Sequence, residues 1–170
     1  MGLNTGKKSS MANVYFKPTE EYLEKANQVF EEQKDRIRNL LPNADIQHIG
    51  STVIPDSITK GDLDINVRVA KEDFNKAVGV LKQLYETNQK ENWNDDFASF
   101  KDDQNLGIDF GAQLTVNGSK WDDFIALRDI LIKNPKLVQE YNKMKQKYDG
   151  KSMNEYRKEK SDFFQKLREK

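Results

Sequence analysis

Two aspartates on one predicted strand, Asp62 and Asp64, are the residues of this chain best suited to chemistry. The run from Asp62 to Val69 alternates strictly between polar and apolar residues, so its polar side chains share one face of a strand. Carboxylates about 7 Å apart on such a face repel each other in a cleft unless a cation lies between them. A Mg²⁺ ion that bridges both to a substrate phosphate would remove this repulsion. The alternative is the solvated outer face of an edge strand.

A Gly50-Ser51 turn lies upstream, after a short predicted strand over about residues 46–49. Glycine lets the backbone approach a phosphate closely, and a serine adds a hydroxyl and an amide donor. We therefore predict phosphate binding at Gly50, Ser51 and the adjoining Thr52, with an ordinary turn serine as the alternative. The turn is neither a Walker A loop nor a GxGxxG motif. His48 is expected to support the turn by hydrogen bonds, and the less favoured alternative is a general base.

Two cations near the aspartates extend this predicted site. Lys60 directly precedes the carboxylate strand, and Arg68 lies on the polar face of that strand together with Asn66. A guanidinium and an amide are suited to hold the phosphate or ribose part of a ligand. We predict ligand-binding roles for Lys60 and Arg68, while an ordinary loop lysine is the alternative for Lys60.

The periodicity of apolar residues predicts the elements that must position these side chains. The order is helix, two strands, helix, two strands and three helices, which indicates a mixed α/β (α+β) fold with a small mixed sheet, flanking helices and a C-terminal helical part. We expect a flexible leader over residues 1–12, an α/β core over 13–118 and a helical part over 119–170, packed as a single structural unit. Thr19 is a predicted N-cap of the first helix, and Ser152 with Glu155 forms a predicted capping box for the last helix. Residues 86–96 are predicted to be a polar loop.

Composition excludes several kinds of site. The 170 residues include no cysteine and one histidine, which excludes disulfides, thiolate metal sites and a multi-histidine zinc site. The formal net charge is zero, yet the 12 basic and 6 acidic residues from Lys133 to Lys170 give that segment a charge of +6 and leave −6 for the rest. If the two parts fold together, they would form a cleft with carboxylates on one wall and cations on the other.

The same composition guides expectations about location and partners. No apolar run approaches the length of a membrane span, and the N-terminus has no apolar segment typical of a secretory signal. We therefore expect a cytoplasmic protein that does not bind a membrane. The balanced charge also argues against long nucleic acid as a partner.

The combined motifs resemble the GrpB-like family of the nucleotidyltransferase, or polymerase-β-like, superfamily. The superfamily signature is a Gly-Ser followed about a dozen residues later by an acidic-apolar-acidic strand, as at Gly50-Ser51 and Asp62-Leu63-Asp64. The resemblance covers about residues 14–167. The family-like segments are His48 to Pro55, Thr59 to Asp64, Leu127-Arg128-Asp129, Asn134-Pro135, Tyr141 with Lys145, and Tyr156 with Lys160.

The resemblance implies a fold, a reaction and roles for particular residues. Superfamily members use the two strand aspartates to hold Mg²⁺ and the Gly-Ser turn to bind a nucleoside triphosphate. They transfer a nucleoside monophosphate to a hydroxyl or phosphate of an acceptor, here expected to be a small molecule, and release pyrophosphate. For the third carboxylate that such sites usually contain, which acts as base or metal ligand, we predict Asp109. Arg128 and Lys145 are predicted to bind the triphosphate, with a surface ion pair and a packing role, respectively, as alternatives.

The chain also departs from the family pattern. Many members carry a His-x-His-like strand where this chain has Gln113-Leu114-Thr115. GrpB-like proteins are largely without an established reaction, so two non-catalytic alternatives stay open: a module that binds a nucleotide or phosphometabolite, and an adaptor that binds a protein through its helical tail. Relatives fused to dephospho-coenzyme A kinase imply a protein partner in nucleotide or coenzyme metabolism.

Overall fold

The structure, a computed structural model, describes residues 12–169. Within that range it contains nine strands and five helices, joined by short turns. The strands are β1 (Asn13–Val14), β2 (Lys17–Pro18), β3 (Asp45–Ile49), β4 (Ile58–Thr59), β5 (Asp62–Val69), β6 (Glu86–Asn88), β7 (Phe97–Asp102), β8 (Asp109–Val116) and β9 (Lys151–Ser152). The helices are α1 (Leu23–Leu40), α2 (Phe74–Leu84), α3 (Phe124–Lys133), α4 (Pro135–Tyr148) and α5 (Met153–Arg168).

The central sheet has five strands in the order β3-β5-β8-β7-β6. Its β5 and β8 pair in parallel, whereas the other neighbours pair antiparallel. The long connection from β5 to β8 contains α2 and the outer strands, as a parallel pair requires. The predicted mixed α/β fold with a small mixed sheet is therefore confirmed.

The two faces of this sheet differ in chemistry because side chains alternate along each strand. On one face, Leu63, Ile65 and Val67 of β5 are completely buried in the main apolar cluster, which includes residues of α1 and α2. The opposite face carries Asp62, Asp64 and the other polar residues of β5. The predicted alternation thus separates a core face from a polar face.

The C-terminal helices cover part of the polar face. They form a second apolar cluster with Val14 and Ile54, and its helical members include Leu131, Tyr141 and Tyr156. The segment from Asn13 to Pro18 ties the two parts of the protein together, because its β1 pairs with β9 and its β2 pairs with β4. No helix among residues 12–169 is both long enough and apolar enough to cross a membrane.

Several local predictions need correction. Helix α1 starts at Leu23, and Thr19 instead begins a 3₁₀ turn, where its buried hydroxyl contacts Ser57 Oγ at 2.8 Å. The predicted polar loop over 86–96 contains strand β6. This short strand lies at the edge of the sheet, and its polar sequence has no apolar alternation that would predict a strand. At the start of α5, Ser152 does cap the helix by accepting a hydrogen bond from the Glu155 amide. Of the predicted leader, residues 1–11 lie outside the described residues.

Candidate functional site

The parallel pairing of β5 with β8 decides which side chains meet at the carboxylate strand. Asp62 lies opposite Asp109, and Asp64 lies opposite Gly111. Directly opposed residues of neighbouring strands project to the same face of a sheet. On the other side, β3 ends opposite Asp64, so the Gly50-Ser51 turn begins beside that aspartate. The structure therefore brings the strand aspartates and the Gly-Ser turn together.

Asp64 occupies a space that two glycines leave open. A Cβ at Gly50 would lie 2.9 Å from Asp64 Oδ2, and a Cβ at Gly111 would lie 2.7 Å from Asp64 Oδ1. Gly50 also has a φ of +80°, which disfavours any other residue. Burial, followed by the negative charge of Asp62, raises the pKa of Asp64 to about 7. Among residues 12–169 this carboxylate has no hydrogen-bond or ion-pair partner, so it is available to a cation.

Asp62 differs from Asp64 because it has a cationic partner. Lys60 Nζ donates to Asp62 Oδ2 at 2.6 Å, and both side chains are partly buried. Burial alone would raise the pKa of Asp62, but the charge and hydrogen bond of Lys60 outweigh it and lower this pKa. The sequence predicted a ligand-binding role for Lys60; the structure places it at the carboxylates, paired with Asp62.

A lysine behind the Gly-Ser turn fixes the Ser51 hydroxyl. Lys145 Nζ donates to Ser51 Oγ and to the carbonyl oxygen of Ile58, both at 2.6 Å, and lies 3.8 Å from the centre of the Tyr141 ring. The side chain is completely buried, and this burial lowers the pKa of Lys145 well below its usual value. Because Lys145 has no exposed surface, the structure places it in contact with Ser51 and leaves no direct path to a phosphate.

The next residue of the turn, Thr52, is also completely buried. Its hydroxyl lies 2.8 Å from His48 Nε2, and the His48 ring stacks on Phe30 with 5.4 Å between ring centres. The structure therefore does not bring the Thr52 side chain to a ligand-accessible surface. His48 supports the turn through this hydrogen bond, as the sequence favoured.

We predict that His48 makes the stability of the protein depend on pH. Burial, followed by the positive charge of Arg128, lowers the pKa of His48 from 6.5 to about 4. Between these values the unfolded chain binds a proton that the native protein does not, so stability is complete above pH 6.5 and falls as the pH decreases to about 4. The full loss would be on the order of 3 kcal/mol.

Urea unfolding at several pH values measures this loss, with His48→Gln as the control because glutamine does not titrate. The difference between the two proteins in free energy of unfolding, followed against pH, gives the contribution of the His48 imidazole. Parallel stability curves for the two proteins between pH 4 and 6.5 would contradict the prediction.

A cavity of about 360 Å³, the first cavity, lies between the carboxylate pair and the C-terminal helices. Gly50 and Ser51 line it together with Lys60 and both aspartates, whereas helices α3, α4 and α5 supply an apolar and aromatic wall. Its further cationic side chains are Arg128, Arg157, Lys160 and Arg168. The expected cleft with carboxylates on one side and cations on the other is thus formed.

The two predicted arginine ligands have different positions. Arg128 lines the first cavity, but its guanidinium also donates to Gln47 Oε1, the His48 carbonyl and Asp129. Arg68 lies at the far end of β5, where it forms a two-bond pair with Asp122 and a third bond at 2.7 Å to Asp45. The structure does not place Arg68 among the residues that line the first cavity.

The predicted third carboxylate lies at the edge of the site. The Asp109 side chain is exposed, but partial desolvation of its carboxyl group, together with the negative charges of Asp103 and Asp62, raises its pKa. Within residues 12–169, no three His, Cys, Asp or Glu side chains cluster closely enough to hold a metal ion. Asp62 and Asp64 therefore form a two-carboxylate site, and Asp109 does not complete it as a third ligand.

Sequence reasoning missed Arg157, Arg168 and most of the cavity wall on α5. The residues of this helix that line the first cavity recur at intervals of three, four and seven, which is the spacing of one helical face. The sequence does contain a signal for this wall, because basic residues interrupt the apolar face of the predicted last helix. These residues are Tyr156, Arg157, Lys160, Ser161, Phe164 and Arg168.

Comparisons with known proteins identify the family of this chain and proteins of similar fold. A family model described as GrpB protein matches residues 19–170. A UPF0157 protein of Vibrio cholerae is 35% identical over 155 residues, which cover 91% of this chain and 82% of that protein. The crystal structure of the conserved protein GrpB from Enterococcus faecalis matches with a TM-score of 0.63 at 19% identity, over 78% of this chain and 81% of that one.

More distant similarity extends to a polymerase. A structure of the Cid1 poly(U) polymerase matches with a TM-score of 0.50 at 12% identity, over 84% of this chain but 42% of that one. At this identity the similarity concerns the fold alone, which is nucleotidyltransferase-like.

Proposed function

The chain belongs to the GrpB family, and on that premise we propose that it is a nucleotidyltransferase. It would transfer a nucleoside monophosphate from a nucleoside triphosphate to a small acceptor. The observation that carries this proposal is that the partly buried carboxylate of Asp64, beside the Gly50-Ser51 turn, has no partner within the part of the chain that the structure describes. A structural carboxylate would be expected to have a partner, because burial without one is costly.

The donor set is suited to Mg²⁺. Carboxylate oxygens are the usual protein ligands of this ion, and one or two suffice when substrate phosphates complete its shell. Asp62 and Asp64 would hold the ion. When bound, it would neutralise phosphate charge and help to orient the reacting groups.

The residues around the carboxylates would bind the triphosphate. Gly50 lines the first cavity beside Asp64, and the Ser51 hydroxyl accepts a hydrogen bond from Lys145, which orients it. The Ser51 hydrogen is then free to be donated to a phosphate oxygen. Arg157 and Lys160 provide positive charge on the facing helix. The apolar wall of the first cavity would receive the rest of the nucleotide and exclude water.

The chemical step is an in-line displacement at the α-phosphorus. The acceptor oxygen forms a bond to this phosphorus, and the bond to the bridging oxygen of the leaving group breaks. Pyrophosphate leaves with the electron pair of that bond. The acceptor proton passes to Asp109, which is accessible and whose raised pKa favours a bound proton.

A second candidate function is nucleotide binding without turnover. It is favoured by one observation, that Asp109 does not join Asp62 and Asp64 in a three-carboxylate group within residues 12–169. In that case the first cavity would bind a nucleotide or phosphometabolite, and pyrophosphate would not be released.

Calorimetric titration with MgATP, MgCTP, MgGTP and MgUTP tests the proposal. We expect at least one triphosphate to bind with Mg²⁺, and Asp62→Asn to weaken its binding at least about tenfold because a carboxylate that would hold the ion is lost. Asp35→Asn, an exposed position on α1, is the matched control and should leave the affinity unchanged.

The absence of binding by all four triphosphates would overturn the proposal. A pyrophosphate-release assay with a panel of small acceptors distinguishes the two candidate functions. Release that is lost in Asp109→Asn favours the transferase, whereas tight binding without release with any acceptor favours the binding module.

A further inference from the structure

A second cavity of about 760 Å³ lies on the other side of the carboxylate pair. The second cavity adjoins the first cavity, and the two share part of their walls. The shared residues are Lys60, Asp62, Asp64, Gln113, Arg157 and Lys160. A ligand in either cavity can therefore reach the same two carboxylates.

The floor of the second cavity is the polar face of the outer sheet strands. Gln113 of β8 lies opposite Ser99 of β7, which lies opposite Asn88 of β6, and Gly111 lies opposite Lys101. The partly exposed side chains of Gln113, Asn88 and Lys101 present hydrogen-bonding groups, whereas the Ser99 hydroxyl is buried and accepts from Asn88 Nδ2 at 3.3 Å. Such a floor suits a ligand that carries several hydroxyl groups.

The charged groups away from the shared wall are mostly negative. The negative groups are Glu91, Asp103 and Asp109, and the one positive group among the lining residues that the structure describes is Lys101, whose ammonium lies 3.9 Å from the Asp103 carboxylate. The pair is half-exposed, so water weakens its attraction. This wall would attract a positively charged group and disfavour a polyanion such as a nucleic-acid strand.

The remaining wall offers little for base stacking. Asn13, Val14 and Tyr15 border the cavity on the side of the helical part, along with Met153. Tyr15 is the one exposed aromatic side chain among the described residues that line this cavity, since Phe110 is buried in the main apolar cluster. Recognition of unpaired bases ordinarily uses aromatic platforms.

The reaction geometry assigns the two cavities different ligands, if the proposed function holds. An in-line displacement requires the attacking and leaving oxygens on opposite sides of the phosphorus. If the leaving pyrophosphate lies by Gly50 and Ser51, the attacking oxygen must approach from the second cavity. We propose that the second cavity binds the acceptor, and that this acceptor is a small polyhydroxylated molecule with a positively charged amine.

Binding of glucosamine and N-acetylglucosamine to the full chain, followed by amide NMR shifts, tests this proposal. The two sugars share their ring hydroxyls and differ in the charge of the amine. We expect glucosamine to shift the Ser99, Lys101 and Gly111 amides and to bind about threefold more tightly than the acetylated sugar, because Glu91 and Asp103 are exposed and water weakens their attraction for the amine.

The variant Glu91→Gln with Asp103→Asn should abolish this threefold preference without changing the affinity for nucleotides, whereas Asp35→Asn should change neither. Equal binding of the two sugars, shifts confined to the first cavity, or no shift across the millimolar range would overturn the acceptor proposal. Each of these results leaves triphosphate binding, and therefore the proposed function, to be judged separately by calorimetry.

Discussion

Replacement of Asp64 by asparagine is expected to abolish nucleotidyl transfer while making the ligand-free protein more stable. The carboxylate has no partner within residues 12–169, and both burial and Asp62 disfavour its charge. Asparagine has nearly the same shape and removes that unfavourable charge, so the free energy of unfolding should rise by about 1 kcal/mol. Transfer should fall by a factor of about 10² to 10³, because a group that orients the reacting phosphate is lost.

Differential scanning calorimetry and the pyrophosphate assay measure the two effects on the same samples. Mg²⁺ with a triphosphate should raise the Tm of the native sequence and leave that of Asp64→Asn unchanged. The control Asp35→Asn should behave as the native sequence in both assays. A variant that loses stability, or that keeps its transfer activity, would show that Asp64 is a structural residue.

The second large effect is expected at Lys145. Its ammonium is completely buried and has two oxygen acceptors, so Lys145→Met exchanges a costly buried charge for an apolar side chain of similar length. Such exchanges are often neutral or stabilising. We expect the Tm to stay the same or to rise, and the affinity for triphosphate to fall about tenfold because Ser51 loses the group that orients its hydroxyl.

Three variants separate orientation of Ser51 from packing. Ser51→Ala removes the hydroxyl and should reproduce the loss of affinity, and the double variant should be little worse than either single one. Lys143→Met, on the exposed side of the same helix, should change neither property. If Lys145→Met unfolds the protein while Ser51→Ala binds triphosphate normally, then Lys145 acts in packing and has no role in the site.

The difference between Lys145 and Lys160 illustrates what sequence reasoning could predict about the site. Both lysines follow a tyrosine by four positions, at Tyr141 and Tyr156, and nothing in the sequence distinguishes them. In the structure Lys145 is buried behind Ser51, whereas Lys160 lines the cavity beside the aspartates. Which of the two lysines is buried depends on how their helices pack against the Gly-Ser turn, and a local sequence pattern does not predict that packing.

Arg68 illustrates the same limit within one strand. Alternation correctly placed it on the polar face of β5 with Asp62 and Asp64. Arg68 nevertheless lies six positions along the strand from Asp62, a distance of about 20 Å at the usual rise per residue. Its charge is matched there by Asp45 and Asp122, and the latter comes from a turn 54 residues away.

The sequence by itself determined the elements, the polar and apolar faces of the carboxylate strand, and the order of the Gly-Ser turn and the two aspartates. These properties follow from local periodicity and from the conformational freedom of glycine. The tertiary structure alone decided which charges are paired. It paired Lys60 with Asp62, placed Asp64 between two glycines without a partner among residues 12–169, and formed a cavity on each side of the two aspartates. Strand register and helix packing join residues distant in the chain, and the energy of each such contact depends on both partners.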